Sequence, residues 1–455
     1  MIDGSLSGTA GDRLRRIAWR RAVGRDMAGA ASLHRATEWY PSEALAAMQW
    51  EQISALVGYA RTTNEFYRSR LDEVPAGPAV TPDAFRRIPP LRRHDVARCW
   101  AGQAARSAGA GGVVQRRSGG SSGEAVRIPL DRATYSWYVG GTWRGLGWWG
   151  ADITRRGAVL LGSGGAGLRR LAVRAKDWAM DWLRITVEDG FEEAVPAALA
   201  RLAAFRPVFL YGYPSAVHRL ARAVYGRRLA WTGRLRVIAL TGEPVYAFQR
   251  RAIEETFACP VAEEYGNGEM GSMAFECPEG TLHATVENVF LEVEPPATNG
   301  SGGPILATQL HNRLLPLIRY ETGDWGTVGA SGCACGRALP AVRVAGRTQE
   351  RLVAGSGSVL ARPRLEELFS ALPDDLRGAV QIVHRPGGPT ICRVEHTQDR
   401  PSPDLRHVAL LAREILETDG SVDAVAVSRF RRLPSGKLPY FVTLRSDDDG
   451  ALHHE

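Results

Sequence analysis

Short apolar runs alternating with helical segments through the middle of the chain predict an α/β protein built on a parallel sheet, and the C-terminal residues predict a smaller α+β module beside it. The runs lie at 158–161, 208–210 and 237–240, each followed by a Gly-rich or Pro-containing turn. Strands buried on both faces read as unbroken apolar runs of this kind, and in such sheets ligands bind at the loops beyond the strand ends. Ahead of them the N-terminal segment, residues 1 to about 100, reads as mainly helical. Ala46, Ile53, Leu56, Val57 and Ala60 approximate one helical face, and Pro89-Pro90 closes the region. From about Leu282 to Gly346 the pattern shifts to shorter strands and turns. Beyond a stretch at 346–357 rich in Gly, Ser and charge, strand-like 379–383 and 391–394 precede a helix with Leu405, Val408, Ala409, Ala412, Ile415 and Leu416 on one face. Strand-like 422–427 follows.

The 455 residues are 44% hydrophobic and 23% charged, ordinary globular values that argue against a disordered, collagenous or coiled-coil chain. No apolar run approaches the ~18 residues of a membrane span. Arg13, Arg15, Arg16, Arg20 and Arg21 interrupt the N-terminus, so no apolar core of a secretory signal forms there. A cytoplasmic protein without membrane attachment is expected. The formal net charge of +8 suits nucleic acid, a membrane surface or small anions such as nucleotides. The basic residues are scattered, however, and no nucleic-acid module is recognisable, so solvated surface charge is expected and a nucleic-acid partner is not. All but two of the 57 basic residues are arginine, the exceptions being Lys176 and Lys437. Six cysteines in a chain this long do not make a disulfide framework and point to metal ligation or burial instead.

Arg117-Ser118-Gly119-Gly120-Ser121-Ser122-Gly123-Glu124 concentrates backbone amides and hydroxyls that suit a polyphosphate. No Lys follows the last glycine, so this is not a Walker loop, and taken alone such a segment is more often a flexible turn. Further on come Leu240-Thr241-Gly242-Glu243-Pro244, Tyr265-Gly266-Asn267-Gly268-Glu269, Arg319-Tyr320-Glu321-Thr322-Gly323-Asp324, Gly346-Arg347 and Pro434-Ser435-Gly436-Lys437. In order and spacing, from about Leu56 to Lys437, this series resembles the adenylate-forming superfamily, within it the phenylacetate–coenzyme A ligase branch and its capsular-polysaccharide-type relatives.

The resemblance implies a large N-terminal adenylating domain, residues 1–346, with parallel-sheet αβα layers and a β-rich part, and a small mobile α+β domain, residues 347–455. It implies that Ser118, Gly120, Ser121, Ser122 and Gly123 grip the phosphates of ATP. Gly242, Glu243, Pro244, Tyr265 and Gly266 would enclose adenine, with Tyr265 stacked on the base. Glu269 would hold Mg²⁺, Asp324 would accept hydrogen bonds from the ribose, and Arg347 would reach the nucleotide from the hinge. Lys437 would bridge substrate carboxylate and α-phosphate. The chemistry is coherent: a carboxylate attacking a polyanion needs preorganised positive charge where negative charge develops. Tyr135, Tyr138, Tyr213 and Gly268 fall in regions that line the acyl pocket of the family, so a small, flat or aromatic acid is implied.

Several positions depart from the family pattern. Gly119 and Gly268 stand where a hydroxyl residue is commoner, Ala125 where a proline usually follows, and Gln349 where the hinge commonly has Asp. Cys277, His283, Cys333 and Cys335 offer three thiolates and one imidazole, the ligand set of a closed structural zinc site, although 49 residues between His283 and Cys333 leave their proximity open. Some relatives carry a similar Cys/His set, which implies zinc here too. The expected activity is ATP-dependent formation of an acyl-adenylate with release of pyrophosphate, then transfer to coenzyme A. Transfer to an amine, or a degenerate nucleotide-binding homologue, is the alternative, and a homodimer is compatible with either.

Overall fold

The computed structural model describes residues 29–103 apart from 76 and 78, 113–117, 127–162 apart from 154, 167–226 apart from 189, 231, 233–294, 302–354, 357–396 and 402–444. Two strands, β1 (Val113–Arg117) and β2 (Arg127–Asp131), pair antiparallel and place Arg117 opposite Arg127. The Ser/Gly segment 118–123 that they flank, with Ser118, Gly120, Ser121, Ser122 and Gly123, lies outside the described residues.

Eleven strands then build one sheet. They are β3 (Gly157–Leu161), β4 (Trp182–Thr186), β5 (Phe209–Gly212), β6 (Val237–Thr241), β7 (Val261–Asn267), β8 (Gly271–Glu276), β9 (Leu282–Ala284), β10 (Val289–Val293), β11 (Gly303–Gln309), β12 (Tyr320–Gly329) and β13 (Ala341–Arg347). Their spatial order is β10-β11-β12-β13-β9-β8-β7-β6-β5-β3-β4. The pairs β4–β3, β3–β5, β5–β6 and β6–β7 are parallel, as the apolar runs predict, with β6 buried along its whole length. Helices Gly167–Ala179, Phe191–Phe205, Pro214–Gly226 and Ala247–Phe257 connect these strands. At β7 the direction changes, since β7 pairs antiparallel with β8. The antiparallel half therefore begins near Gly271, earlier than the Leu282 expected from sequence, and it continues the same sheet. The reason is the tight turn after Asn267, whose side chain accepts from the amides of Glu269 (3.1 Å) and Met270 (2.7 Å) and reverses the chain at once.

Helix Arg132–Trp148 lies against β8 in spite of its glycines. A Cβ at Gly145 would fall inside the Phe275 ring, so the close approach of helix to sheet requires glycine there and offsets its helix penalty of about 1 kcal/mol. Helix Ser42–Thr63 buries Ile53, Leu56, Val57 and Ala60 as expected, but it turns Leu45 and Gln49 inward and leaves Ala46 exposed. Gln49 is accommodated because its amide donates to the carbonyls of Val286 (2.9 Å) and Val289 (3.0 Å).

The C-terminal residues form a four-stranded sheet in the order β18-β17-β16-β19, from β16 (Val380–His384), β17 (Thr390–Glu395), β18 (Val422–Val427) and β19 (Phe441–Thr443). Helices Ala361–Ala371 and Leu405–Leu416 cover it, the second burying Val408, Ala412 and Leu416. The Gly/Ser-rich stretch before it carries a hairpin that the sequence reading lacks, β14 (Arg351–Ala354) with β15 (Gly357–Leu360). Tyr246, from the large part, packs into the core of this module with Phe369 and Tyr440. Among the described residues, no helix is long and apolar enough to cross a membrane.

One buried charge network ties the residues before the sheet to it. Glu287 accepts from Thr37 and Arg144, and His34 Nδ1 lies 3.0 Å from its second oxygen. Burial alone would raise the Glu287 carboxyl, but Arg144 and His34 overcome it and hold it at about 2. A carboxylate depressed in this way stabilises the fold fully above the ordinary Glu value of about 4.3, and that contribution is lost as pH falls towards 2. Arg144→Met is expected to cost about 3–5 kcal/mol in urea unfolding at pH 7 by stranding Glu287. Glu287→Gln is expected to flatten the loss of stability between pH 5 and pH 3, measured as the shift in midpoint across that range.

Candidate active site

The predicted residues that the structure describes come together where the sheet changes direction and the C-terminal module meets it. A cavity of about 270 Å³ is lined by Tyr135, Tyr138, Tyr213, Gly242, Gly266, Gly268 and Lys437, among others. All four predicted acyl-pocket residues are thus on one wall or another of the same space. Around it, β12 and β13 pair so that Asp324 stands opposite Arg347. Arg347 Nε lies 3.2 Å from Asp324 Oδ1, and Tyr265 Oη donates to Asp324 Oδ2 at 2.8 Å. The Asp324 amide donates to Thr322 Oγ1 (3.1 Å), a turn that fixes the carboxylate without consuming it. Asp324 raises the Arg347 guanidinium, while burial and then Asp324 push the Tyr265 phenol well above its ordinary range.

Glu269 is 5% exposed and accepts from Tyr320 Oη at 3.3 Å. It forms no ion pair among the described residues, so its oxygens keep acceptor capacity for a hard cation. Glu243, placed at the adenine wall by the resemblance, also has a local structural role. Its carboxylate accepts from the Ser215 amide (2.9 Å) and hydroxyl (3.0 Å) and from the Leu438 amide (2.6 Å), so it holds the chain next to Lys437. Pro244, beside it, is half-buried.

Lys437 arrives on a loop of the C-terminal module. Tyr213 Oη donates to the Ser435 carbonyl (3.1 Å), and buried Arg432 reaches Ser215 Oγ (3.0 Å), the Gly436 carbonyl (3.0 Å) and Glu192 (2.9 Å). Gly436 has φ +87°, and a Cβ there would collide with the Val187 carbonyl oxygen; a Cβ at Gly162 would lie 2.5 Å from the Ser435 oxygen. Two glycines therefore let backbone rest on backbone and bring Lys437 to the cavity. A Cβ on Gly242 would lie 3.2 Å from Lys437 Cε. Burial pushes the ammonium below the ordinary lysine range and Arg347 adds to this, while Glu243, Glu269 and Asp324 pull the other way.

The polar wall of the cavity is Arg116, Thr142, Tyr211, Glu264 and Ser272; sequence reasoning placed Tyr211 in a pocket-lining region and missed the other four. Glu264 accepts from the hydroxyls of Thr142 and Tyr211. The available signal was the pair Glu263-Glu264 in an otherwise apolar strand, where alternation sends one of the two to each face.

A second constellation lies on the antiparallel half. The ligand atoms of Cys277, His283, Cys333 and Cys335 all lie within 4.8 Å of one another. Cys277 and Cys333 sulfurs are 3.6 Å apart, and Cys335 Sγ is 3.2 Å from His283 Nε2. Pairing of Ala341 with His283 brings the loop between β12 and β13 to β9, which closes the gap left open by sequence. His283 Nδ1 faces the Leu339 carbonyl at 3.0 Å, which leaves Nε2 as the free lone pair towards the thiols. Sulfurs on a tetrahedral zinc stand about 3.8 Å apart, given Zn–S bonds of about 2.3 Å, so the set fits that ion.

No family model matches the sequence. The chain is 26% identical over 419 residues to phenylacetate–coenzyme A ligase of Thermus thermophilus, covering 85% of this chain and 89% of that one. It is 28% identical over 126 residues to protein CapK of Staphylococcus aureus, 28% of each chain. In fold it matches 2-hydroxyisobutyryl-coenzyme A ligase in the postadenylation state, in complex with its acyl-AMP, with a TM-score of 0.73 at 17% identity over 90% of this chain and 91% of that one. The ordered motifs of the described residues and a similarity that spans most of both chains point the same way, and together they support the likeness to the adenylate-forming superfamily, to its phenylacetate–coenzyme A ligase branch and to the CapK-type relatives.

Proposed function

We propose that this protein activates a small carboxylic acid with ATP, forming an acyl-adenylate and releasing pyrophosphate, and then transfers the acyl group to coenzyme A. The observation that carries this reading is the position of Lys437, desolvated at the cavity and surrounded by Glu243, Glu269, Asp324 and Arg347. A substrate carboxylate in the cavity would face the ammonium, which neutralises repulsion between it and the α-phosphate and stabilises charge growing on the phosphoryl oxygens. Asp324, an acceptor positioned by Thr322, Tyr265 and Arg347, suits the two hydroxyls of a ribose. Glu269 is the residue that would hold Mg²⁺, whose chemistry is to neutralise and orient the phosphates. The Ser/Gly segment 118–123 is assigned to the phosphates from the family pattern. We place the domain boundary between Gly346 and Arg347, at the end of β13, and the protein in the cytoplasm with the nucleotide and coenzyme A pools. The residues Cys277, His283, Cys333 and Cys335 would hold a structural zinc that clamps β9 to the loop before β13, since four protein ligands leave no position for water.

Pyrophosphate release across a panel of aryl and alkyl acids is expected to exceed background for at least one of them, and Lys437→Ala to lower that rate by about 10²–10³. An alanine variant as active as the parent sinks the mechanism. Adding coenzyme A or amines to the same reactions identifies the acceptor by the mass of the product.

The charged form of Lys437 is the competent one, and its folded pKa is lowered, so adenylation is expected to fall off with rising pH at a value below the ordinary lysine range of about 10.4. Lys437→Arg, slower but charged throughout, is expected to lose that alkaline limb.

Metal analysis of protein purified without added zinc is expected to give about one zinc per chain, and Cys335→Ser to lower both that stoichiometry and the thermal midpoint. A stoichiometry near zero removes the zinc proposal and leaves the adenylation reading intact.

A further inference from the structure

The cavity wall opposite in chemistry to Lys437 carries an acid. Glu264, on β7, is 5% exposed and lines the cavity. Each of its oxygens accepts one hydroxyl, from Thr142 and from Tyr211. A carboxylate offers about four lone-pair sites, so two remain for a further donor. Among the described residues Glu264 has no ion-pair partner; Arg116 lines the same cavity but does not reach it. Two further residues that line this space, Tyr138 and Ser272, 3% and 4% exposed, each carry a buried hydroxyl without a hydrogen-bond partner, Tyr138 Oη and Ser272 Oγ. Buried charges are paired and buried polar atoms are hydrogen-bonded as a rule, and a group left without either points to what is to be bound.

A hydroxyl on the ligand would satisfy the hydrogen bonds but not the charge. An ammonium does both, because it brings one positive charge and three donors, which matches a carboxylate, a phenol oxygen and a serine hydroxyl. We infer that the acid accepted by this cavity bears a protonated amine, with Glu264 as its counter-charge and Tyr138 and Ser272 as additional acceptors. The inference rests on the adenylation reading above and deepens it: Lys437 takes the carboxylate, Glu264 the amine, and the volume of about 270 Å³ keeps the acid small. Glu264 thereby acts as the specificity-determining residue. A site built around a buried polar group rejects the analogue that leaves it unpaired by 10⁴–10⁵ at best, and a single partly hydrated pair achieves less.

The test uses matched acids that differ only by the amine: aminomethylbenzoate against methylbenzoate, and γ-aminobutyrate against butyrate. Pyrophosphate release gives kcat/KM for each. The amine-bearing member of at least one pair is expected to be preferred by about 100-fold or more. Glu264→Gln is expected to reduce that ratio to within about tenfold of unity, and Glu264→Asp, which keeps the charge on a shorter arm, to retain part of it. Ser272→Ala, which removes only the hydroxyl from the strand, is expected to lower the ratio by about three- to tenfold. Turnover of the acids lacking an amine as fast as of their partners, or a preference for hydroxyl-bearing acids, overturns this inference while leaving adenylation standing. Absence of turnover with every acid overturns the adenylation reading and this inference with it.

Discussion

A lysine ammonium carried by one structural module must lose most of its water at a site built by another, and nearly everything around the cavity serves that requirement. Desolvation alone would expel the charge, so Glu243, Glu269 and Asp324 are arrayed to retain it while Arg347 limits how far they succeed. The loop that delivers Lys437 is held by Glu243 on the Leu438 amide, by Tyr213 on the Ser435 carbonyl and by Arg432 on the Gly436 carbonyl. Charge and position thus share a residue, since Glu243 both attracts the ammonium and holds the backbone beside it.

The parallel half of the sheet was legible in sequence because strands buried on both faces leave unbroken apolar runs, and β3, β5 and β6 fall on those runs. The turn of direction at β7 was not, because it depends on one side chain, Asn267, capping two amides, and an Asn between glycines carries no periodicity. The first helical face was read correctly at Ile53, Leu56, Val57 and Ala60 and wrongly at Ala46. A glutamine in a core is invisible until its partners, the carbonyls of Val286 and Val289, are known.

Within the site, motif residues were easier to find than the residues between motifs. Tyr265, Glu269, Asp324, Arg347 and Lys437 stand in short strings whose order is informative, and they converge. Glu264 adjoins one of these strings and was passed over, because in sequence a second glutamate beside Glu263 reads as surface charge. Only the burial of its strand shows that one of the pair faces inward. The cysteine and histidine set shows the converse, as donor chemistry was evident from the start and proximity depended on the pairing of Ala341 with His283. Lys176, the other lysine, sits beside Asp177 at 3.8 Å on helix Gly167–Ala179 and does not line the cavity, so the rarity of lysine did not by itself mark function.

The meeting of Gly436 and Gly162 with the carbonyls of Val187 and Ser435 sets what this contact between the two modules would cost to break. Interlocked side chains must find new rotamers whenever they separate, and each lost or regained rotamer carries an entropic toll. At this contact bare peptide has no rotamers to rearrange, in contrast to the side chains of Tyr246 and Arg432 that cross between the modules elsewhere. The contact's surfaces can be wetted and dried again with little internal friction, and the specificity of the fit resides in hydrogen bonds that Arg432 and Tyr213 donate and Glu243 accepts, which water can replace one at a time. Such a contact has the character of a bearing surface: accurate in fit, and cheap in conformational entropy to break.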